Sequence, residues 1–256
     1  MKFLVAIDLE GVACGIGVPF EGISRGEGKN YAFAAKQATR EGCTAVDALF
    51  DNGATEVIVW DAHADGLNLD YEKFDMRCRF IQGCDMRMTK LSVFDNLDGV
   101  VFIGYHAGDN TPGAVLCHTY SMVNYAWNKI DGKQVGEFEM DAALLGKKGA
   151  KSIFLSGDQF VVEQAKKACP WCNIGTMGLF FVKLLAISII LSKVESASTV
   201  TISTPSSPMT RKPIGFIVAP PPDPPAKLPS MLFLANDFVK FLLPYSPPPA
   251  IKANVI

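Results

Sequence analysis

Short apolar runs alternate with longer amphipathic stretches over the first two-thirds of the chain. Each apolar run is rich in Val, Ile and Phe and ends at a Gly, acidic or other polar residue, which is the pattern of a buried strand. Strands are predicted at Lys2–Ile7, Glu56–Trp60, Gly99–Ile103 and Ser152–Leu155. Because amphipathic stretches separate these runs, the pattern favours a layered α/β fold with a largely parallel sheet.

Three of the intervening stretches have helical periodicity. They predict a helix over Asn30–Asn52, a second beginning near Glu137 and a third over residues 159–168. Asp131-Gly132 is a strong hairpin signal between Met122–Ile130 and Lys133–Val135.

This pattern disappears after Asn173. Residues 174–256 hold 13 of the 16 prolines but only 10 of the 50 charged residues. The stretches Ser196–Thr210 and Ala219–Pro229 are typical of extended or disordered chain. We therefore predict a catalytic metal-binding α/β domain over 1–173 and an irregular, Pro-rich segment over 174–256. That segment is interpreted as disordered or as the product of a shifted reading frame.

Two apolar stretches of this segment are exceptions. Met231–Leu243 is expected to form a helix or another buried element. Met177–Leu191 is a run of fifteen residues broken by one lysine and one serine. Since a spanning helix needs about 17–25 residues, a buried helix is expected here and no membrane association.

Overall composition excludes several classes of protein. A hydrophobic content of 49% excludes disorder of the whole chain, and a net charge of −2 argues against nucleic-acid binding through bulk positive charge. The five apolar residues after Lys2 are too few for a signal peptide. Seven scattered cysteines, an odd number, are typical of a reduced protein, so a cytoplasmic location is predicted.

Familiar catalytic and nucleotide-binding motifs are absent. Gly22–Lys29 lacks the spacing of a P-loop, and Gly15-Ile-Gly17 lacks the third glycine of a dinucleotide-binding turn. No Gly-x-Ser-x-Gly elbow occurs. Cys169-Pro-Trp-Cys172 follows a predicted helix instead of opening one, which disfavours a redox pair.

Metal-ligand residues follow three of the predicted strands. The first strand leads into Asp8 and Glu10, the second into His63 and the third into His106. In open α/β sheets the carboxyl ends of the strands border the functional crevice, so these side chains are expected to converge. The third of only three histidines, His118, and the carboxylate Glu137 flank the predicted hairpin.

The charges of this set favour two metal ions over one. Asp8, Glu10 and Glu137 together carry a formal charge of −3, and their carboxylates would repel one another without a cation. A bridging hydroxide would add one negative charge, and the total would then balance the charge of two divalent ions. Imidazole and carboxylate are the usual ligands of zinc. In the alternative interpretation, each histidine is a polar or core residue with its own hydrogen-bond partners, and the three do not share a site.

The motifs resemble those of the zinc-dependent D-aminopeptidases of the DppA type. The matching residues, in order, are Asp8-Leu-Glu-Gly11, Asp61-Ala-His63, Gly104-Tyr-His-Ala107, Thr111-Pro-Gly113, His118 and Val135-Gly-Glu137. The resemblance covers Met1 to about Asn173. It implies a hydrolase that uses two zinc ions per subunit to release an N-terminal D-residue from short peptides, such as D-alanyl peptides. It also implies a ring-like homodecamer around an internal cavity.

The resemblance further implies a role for each site residue. Asp8 corresponds to the ligand that bridges both metals. Glu10 and His63 would complete one metal site, and His106 and Glu137 the other. His118 corresponds to the catalytic histidine, close to the metals without being a principal ligand. Its function as proton carrier, stabiliser of the tetrahedral intermediate or nucleophile stays open. Independently of the resemblance, Asp61 would either orient a ligand or be a strand-end or helix-cap residue.

The family continues after Asn173 with a segment that helps to form the substrate site and the oligomer contacts, and this segment has no match here. Two alternatives to an active D-aminopeptidase therefore remain open. One is a catalytically impaired, oligomeric metal-binding protein of the same fold. The other is a different metal-dependent amide hydrolase with the same ligand set.

Overall fold

The computed structural model describes residues 1–17, 23, 30–83, 92–176, 213–216 and 231–234. Their strands are β1 (Lys2–Ile7), β2 (Glu56–Asp61), β3 (Arg79–Ile81), β4 (Gly99–Tyr105), β5 (Lys129–Ile130), β6 (Lys133–Gln134), β7 (Ser152–Gly157), β8 (Asn173–Thr176), β9 (Pro213–Phe216) and β10 (Met231–Leu234). Their α-helices are α1 (Tyr31–Asp51), α2 (Glu137–Lys147) and α3 (Gln159–Ala168). Short 3₁₀ turns lie at Tyr71–Lys73 and Ser92–Phe94.

Six of these strands form one parallel sheet in the order β3-β2-β1-β4-β7-β8. Separate antiparallel pairs are formed by β5 with β6 and by β9 with β10. The predicted α/β fold with a largely parallel sheet is therefore confirmed.

The core lies on both faces of this sheet. Alternate residues of β1 point to opposite sides, so that Phe3 and Val5 pack on the α1 side and Leu4 and Ala6 on the side of α2 and α3. Every residue of β4 is buried. Helices cover both faces, and for that reason the central strands are continuous apolar runs instead of alternating ones.

Most predicted elements occur where the pattern placed them, with two differences. The hairpin turn at Asp131-Gly132 is present, but Met122–Asn128 does not form the long strand expected before it. Ser121 accepts hydrogen bonds from the backbone N–H groups of Asn124 and Tyr125, which turns the chain locally. The edge strands β3 and β8 were not predicted, because each is only three or four residues long.

The sheet also extends past the predicted domain boundary. Strand β8 continues from Asn173 to Thr176, and Ile174 packs against the core on the α2 and α3 side. Within the segment predicted to be irregular, β9 and β10 form a strand pair, so Met231–Leu234 is strand. The predicted helix at Met177–Leu191 lies outside the described residues, as do Ser196–Thr210 and Ala219–Pro229. No helix of the described part of the chain has the length and apolar character needed to cross a bilayer.

Candidate metal centre

The carboxyl ends of the central strands bring the predicted ligands together. Asp8 follows β1 directly, His106 follows β4 directly, and His63 lies two residues beyond β2. Glu137 is the first residue of α2, and His118 lies in the loop between β4 and β5. Because β1 is hydrogen-bonded between β2 and β4, residues far apart in sequence become neighbours.

Six side chains form two groups, each with three ligand atoms that lie within 4.8 Å of one another. The first group is Asp8, Glu10 and His63, and the second is His106, His118 and Glu137. These are the six residues singled out in the sequence. The grouping differs in one respect from the resemblance, because His118 stands beside His106 and Glu137 as a third ligand-type side chain.

In the first group, Nδ1 of His63 lies 3.1 Å from Oδ1 of Asp8 and 2.9 Å from Oε2 of Glu10. The other carboxylate oxygen of Asp8, Oδ2, lies 3.5 Å from Nε2 of His106, which belongs to the second group. The two oxygens of Asp8 thus face histidines of different groups.

In the second group, Oε1 of Glu137 lies 3.3 Å from Nε2 of His106 and 3.7 Å from Nε2 of His118. The two imidazole rings are stacked, with centroids 4.3 Å apart. Nε2 of His118 is also 3.9 Å from Oε1 of Glu10, so both groups border one small space.

Each of the three histidines is fixed by a backbone carbonyl at one ring nitrogen. Nε2 of His63 lies 2.9 Å from the carbonyl oxygen of Ile23. Nδ1 of His106 lies 2.9 Å from that of Ala107, and Nδ1 of His118 lies 2.8 Å from that of Leu116. A carbonyl oxygen only accepts hydrogen bonds, so these nitrogens carry the proton. The opposite nitrogen of each ring is thereby directed at carboxylates, as in metal-ligating histidines.

Three buried atoms of the site have no hydrogen-bond partner, namely Oδ2 of Asp8, Oε2 of Glu10 and Nε2 of His106. The Glu10 oxygen is close to His63 but outside hydrogen-bond geometry. Unpartnered buried polar atoms are costly, and an ion that accepts their lone pairs removes the cost. This donor set of imidazoles and carboxylates fits zinc.

The electrostatics of the site also favour a bound cation. Burial alone would lower the pKa of His63 and His106, but the negative charges of Glu10 and Glu137 raise both pKa values well above the ordinary 6.5. Burial would raise the pKa of Asp8 and Glu137, yet the neighbouring histidines lower both. Without metal the cluster therefore holds protons on its histidines, at positions that divalent ions would take.

The described side chains of the centre differ in exposure. Those of Asp8, Glu10 and His106 are at most 4% exposed, whereas those of His118 and Glu137 are 12% and 11% exposed. His118 and Glu137 are thus the most exposed of the six side chains.

Asp61 supports the first group without touching the ring of His63. Its carboxylate accepts hydrogen bonds from the backbone N–H and the side-chain amide of Asn68, and that amide also donates to the backbone carbonyl of His63. Asp61 also accepts from the backbone N–H of Leu69. Asp61 thereby stabilises the loop that carries His63, and it acts on this side chain through the backbone.

The turn after β1 packs tightly against β4. The backbone N–H of Gly11 donates to the carbonyl of Gly104 at 2.7 Å, and a Cβ atom at Gly11 would lie only 1.8 Å from the carbonyl oxygen of Tyr105. Only glycine allows this approach, which sets Glu10 beside the residues that follow β4.

Asp141 and its partner Tyr120 are supporting residues that the sequence analysis missed. Tyr105 and Tyr120 donate hydrogen bonds to the two oxygens of this carboxylate. Burial raises the pKa of Asp141 to about 7. In the sequence, Asp141 stands out as a carboxylate beside Phe138 and Ala142, which lie on the apolar face of α2.

The Cys169 and Cys172 thiols are free and buried. Burial raises the pKa of Cys169 to about 11 and also raises that of Cys172. Protonated, buried thiols are unreactive, in keeping with the disfavoured redox interpretation.

Comparisons with known proteins identify relatives of this chain. A family model for D-aminopeptidases matches residues 1–201, which carries the match beyond Asn173. The D-aminopeptidase of Bacillus subtilis (strain 168) is 28% identical over 174 residues, which make up 66% of this chain. The matched part spans 61% of the length of that relative.

A solved structure with the same fold is the Zn-dependent D-aminopeptidase DppA from Bacillus subtilis, described as a self-compartmentalizing protease. It superposes with a TM-score of 0.69 at 20% identity, over 94% of each chain. Since the family model covers well over half of the sequence and includes all six metal-centre residues, the chain belongs to the M55 family of D-aminopeptidases.

Proposed function

We propose that this chain is a zinc-dependent aminopeptidase that releases the N-terminal D-residue, of the D-alanyl type, from short peptides with two zinc ions per subunit. The observation that carries the proposal is the pair of three-ligand groups, each within 4.8 Å, that meet at Asp8. Membership of the D-aminopeptidase family supports the reaction and the stereochemistry.

Asp8, Glu10 and His63 would hold one ion, and His106 and Glu137 the other, with Asp8 between them. When bound, a pair of zinc ions activates water and polarises the carbonyl under attack. His118 is the most exposed of the six side chains, and its backbone-carbonyl contact is at Nδ1, not at Nε2. That nitrogen is available to carry a proton or to stabilise the oxyanion of the tetrahedral intermediate.

The burial of the centre is in keeping with short substrates, because all six side chains are at most 12% exposed. We also propose cytoplasmic assembly into a ring-like homodecamer, in line with the self-compartmentalizing relative. Exposed apolar side chains such as Phe33 and Trp171 are available for subunit contacts. Light scattering on the purified protein would test the assembly.

The activity is tested with purified protein of measured zinc content and matched peptide pairs that differ only in the D or L configuration of the N-terminal alanine. We expect two zinc ions per chain and faster release of the D-residue. Asp8→Asn, which keeps the size of the side chain, serves as the inactive control. Equal rates for both configurations would contradict the D-specificity.

One observation favours the impaired, metal-binding alternative. The composition after Asn173 is charge-poor and Pro-rich, and the family match ends at residue 201. Two bound zinc ions without turnover of any peptide would support that alternative. Cleavage restricted to amides that are not peptides would instead indicate a different amide hydrolase.

A further inference from the structure

Asp141 is a buried carboxylate that belongs to neither metal group. It is only 3% exposed and lies on α2 one turn after Glu137, on the same side of the helix. Its Oδ2 accepts a hydrogen bond of 2.8 Å from the hydroxyl of Tyr105, and its Oδ1 accepts one of 3.0 Å from that of Tyr120. Both oxygens are therefore used within the protein.

Each partner of Asp141 is next to a ligand of the second group. Tyr105 immediately precedes His106. Tyr120 is two residues after His118, and its backbone N–H donates to Oε1 of Glu137 at 2.6 Å. That oxygen is the same atom that faces Nε2 of both histidines. The three segments that carry the second group thus meet at one carboxylate.

The loop around His118 needs such support. Tyr120 has a φ of 59°, and so does Leu116, whose carbonyl fixes the ring of His118. This left-handed conformation is unfavourable for a non-glycine residue and persists only where surrounding contacts hold it. The hydroxyl bond from Tyr120 to Asp141 is such a contact, and it keeps the backbone N–H of Tyr120 aimed at Glu137.

The first group is supported by different residues. Asn68 links Asp61 to the backbone of His63, and the hydroxyl of Tyr31 donates to the side-chain oxygen of Asn68 at 2.8 Å. The hydrogen bonds described for Asn68 lead to Tyr31, Asp61 and His63, whereas those described for Asp141 lead to Tyr105 and Tyr120. A change at Asp141 should consequently affect one metal ion and spare the other.

We propose that Asp141 is a positioning residue that sets the geometry of the second zinc site by holding Tyr105 and Tyr120 against it. The inference rests on the proposed function, because it presumes that His106 and Glu137 bind zinc. Removal of second-layer hydrogen bonds typically weakens metal binding about 10- to 100-fold.

The test is a competition of the zinc-loaded full chain against graded concentrations of a chelator, with bound zinc counted by mass spectrometry. His63→Ala and His106→Ala identify which release step belongs to which group. The test variants are Asp141→Ala, Asp141→Asn and Tyr120→Phe. Tyr31→Phe is the matched control, because it removes a tyrosine hydroxyl from the support of the other group.

We expect Asp141→Ala and Tyr120→Phe to weaken only the ion that His106→Ala also removes, by about 10- to 100-fold. Asp141→Asn, which keeps one acceptor oxygen, should recover most of that affinity, and Tyr31→Phe should leave that ion unchanged. Because Asn also keeps the size of Asp, the loss in Tyr120→Phe, which removes a hydroxyl and keeps the ring, is the result that separates hydrogen bonding from filling of space.

Two results would overturn the inference while the proposed function stands: two zinc ions bound with unchanged affinity in Tyr120→Phe, or equal weakening of both ions by Asp141→Ala and Tyr31→Phe. If Asp141→Ala does not fold, Tyr120→Phe decides the outcome. A wild-type chain that binds no zinc would overturn both the inference and the proposed function.

Discussion

Asp8 lies between the two candidate zinc groups, with one carboxylate oxygen toward His63 and the other toward His106. Asp8→Ala is therefore expected to reduce bound zinc from two ions per chain to almost none. Elemental analysis after dialysis measures this directly. Glu10→Ala is the comparison, since it should remove one ion first. A single ion retained at wild-type affinity in Asp8→Ala would show that Asp8 serves only one group.

Replacement of His118 by alanine distinguishes a catalytic role of this side chain from a role as a zinc ligand. We expect His118→Ala to keep its zinc and to lose turnover by about 10²- to 10⁴-fold, the range for removal of a proton-transfer group. Parallel measurements of zinc content and of kcat on a D-alanyl peptide would check this. Loss of one ion together with activity would instead make His118 the third ligand of its group.

At the scale of residues, the ligand types could be predicted but their supports could not. His63 and His106 follow strand ends, and only three histidines exist, so few arrangements were available. The carbonyls of Ile23, Ala107 and Leu116 leave no trace in the sequence, because every residue has one. Nor does sequence spacing reveal that the distant Tyr105 and Tyr120 share one carboxylate.

At the scale of elements, the site depends on close contact between β1 and β4. Gly104 has a φ of 73°, and a Cβ atom there would lie 2.2 Å from the carbonyl oxygen of Asp8. Gly104→Ala should lower the free energy of unfolding by about 2–4 kcal/mol and weaken zinc binding, because either strain or displacement of Asp8 must follow. Urea denaturation measures the first effect.

The control is Gly146→Ala on α2, where nothing lies within 4 Å of the added Cβ atom. That change should stabilise the protein by about 0.5–1 kcal/mol, since alanine loses less conformational entropy in a helix. Similar effects of the two substitutions would contradict the packing described for Gly104.

The elements nearest the site were the easiest to predict. Strands β1, β2 and β4 are buried on both faces, and they appear as uninterrupted apolar runs that end at the site. The edge strands β3 and β8 depend on pairing with a neighbour more than on their own few residues. A pattern along the chain cannot show such pairing.

At the scale of the whole molecule, zinc binding and pH should be linked. Despite burial, Glu10 and Glu137 raise the pKa of His63 and His106 well above the 6.5 of an unfolded chain. The metal-free fold thus retains protons that the unfolded chain releases, and its stability falls as pH rises above about 6.5. Zinc replaces these protons and binds better as they leave.

The increase in melting temperature caused by zinc should accordingly be larger at pH 8.5 than at pH 6. Thermal unfolding of chelator-treated protein, with and without added zinc, would measure it. Asp8 and Glu137 do not change the sign of this pH dependence. The pKa of each carboxyl is lowered, so both groups titrate below the range from pH 6 to pH 8.5. A zinc effect that is constant or shrinks toward high pH would contradict the linkage.

The division of the chain near Asn173 stays a prediction. The sheet continues to Thr176 and the family match to residue 201, whereas the prolines lie mainly beyond them. Limited proteolysis of the zinc-loaded protein is expected to cleave first within the Pro-rich part and to leave an N-terminal fragment with both ions. Mass spectrometry would identify the first cut, and initial cleavage inside residues 30–176 would contradict the division.

The acceptors that orient the three histidines are backbone carbonyls, which are present whatever side chain their residues carry. Substitution at Ile23, Ala107 or Leu116 alters a side chain but leaves the acceptor in place, so the rings keep their orientation wherever the new side chain fits its surroundings and the backbone path is kept. Family members could therefore share one arrangement of rings while differing at each supporting position. Designers who transplant this centre should copy the three backbone paths before they copy any residue around the ligands.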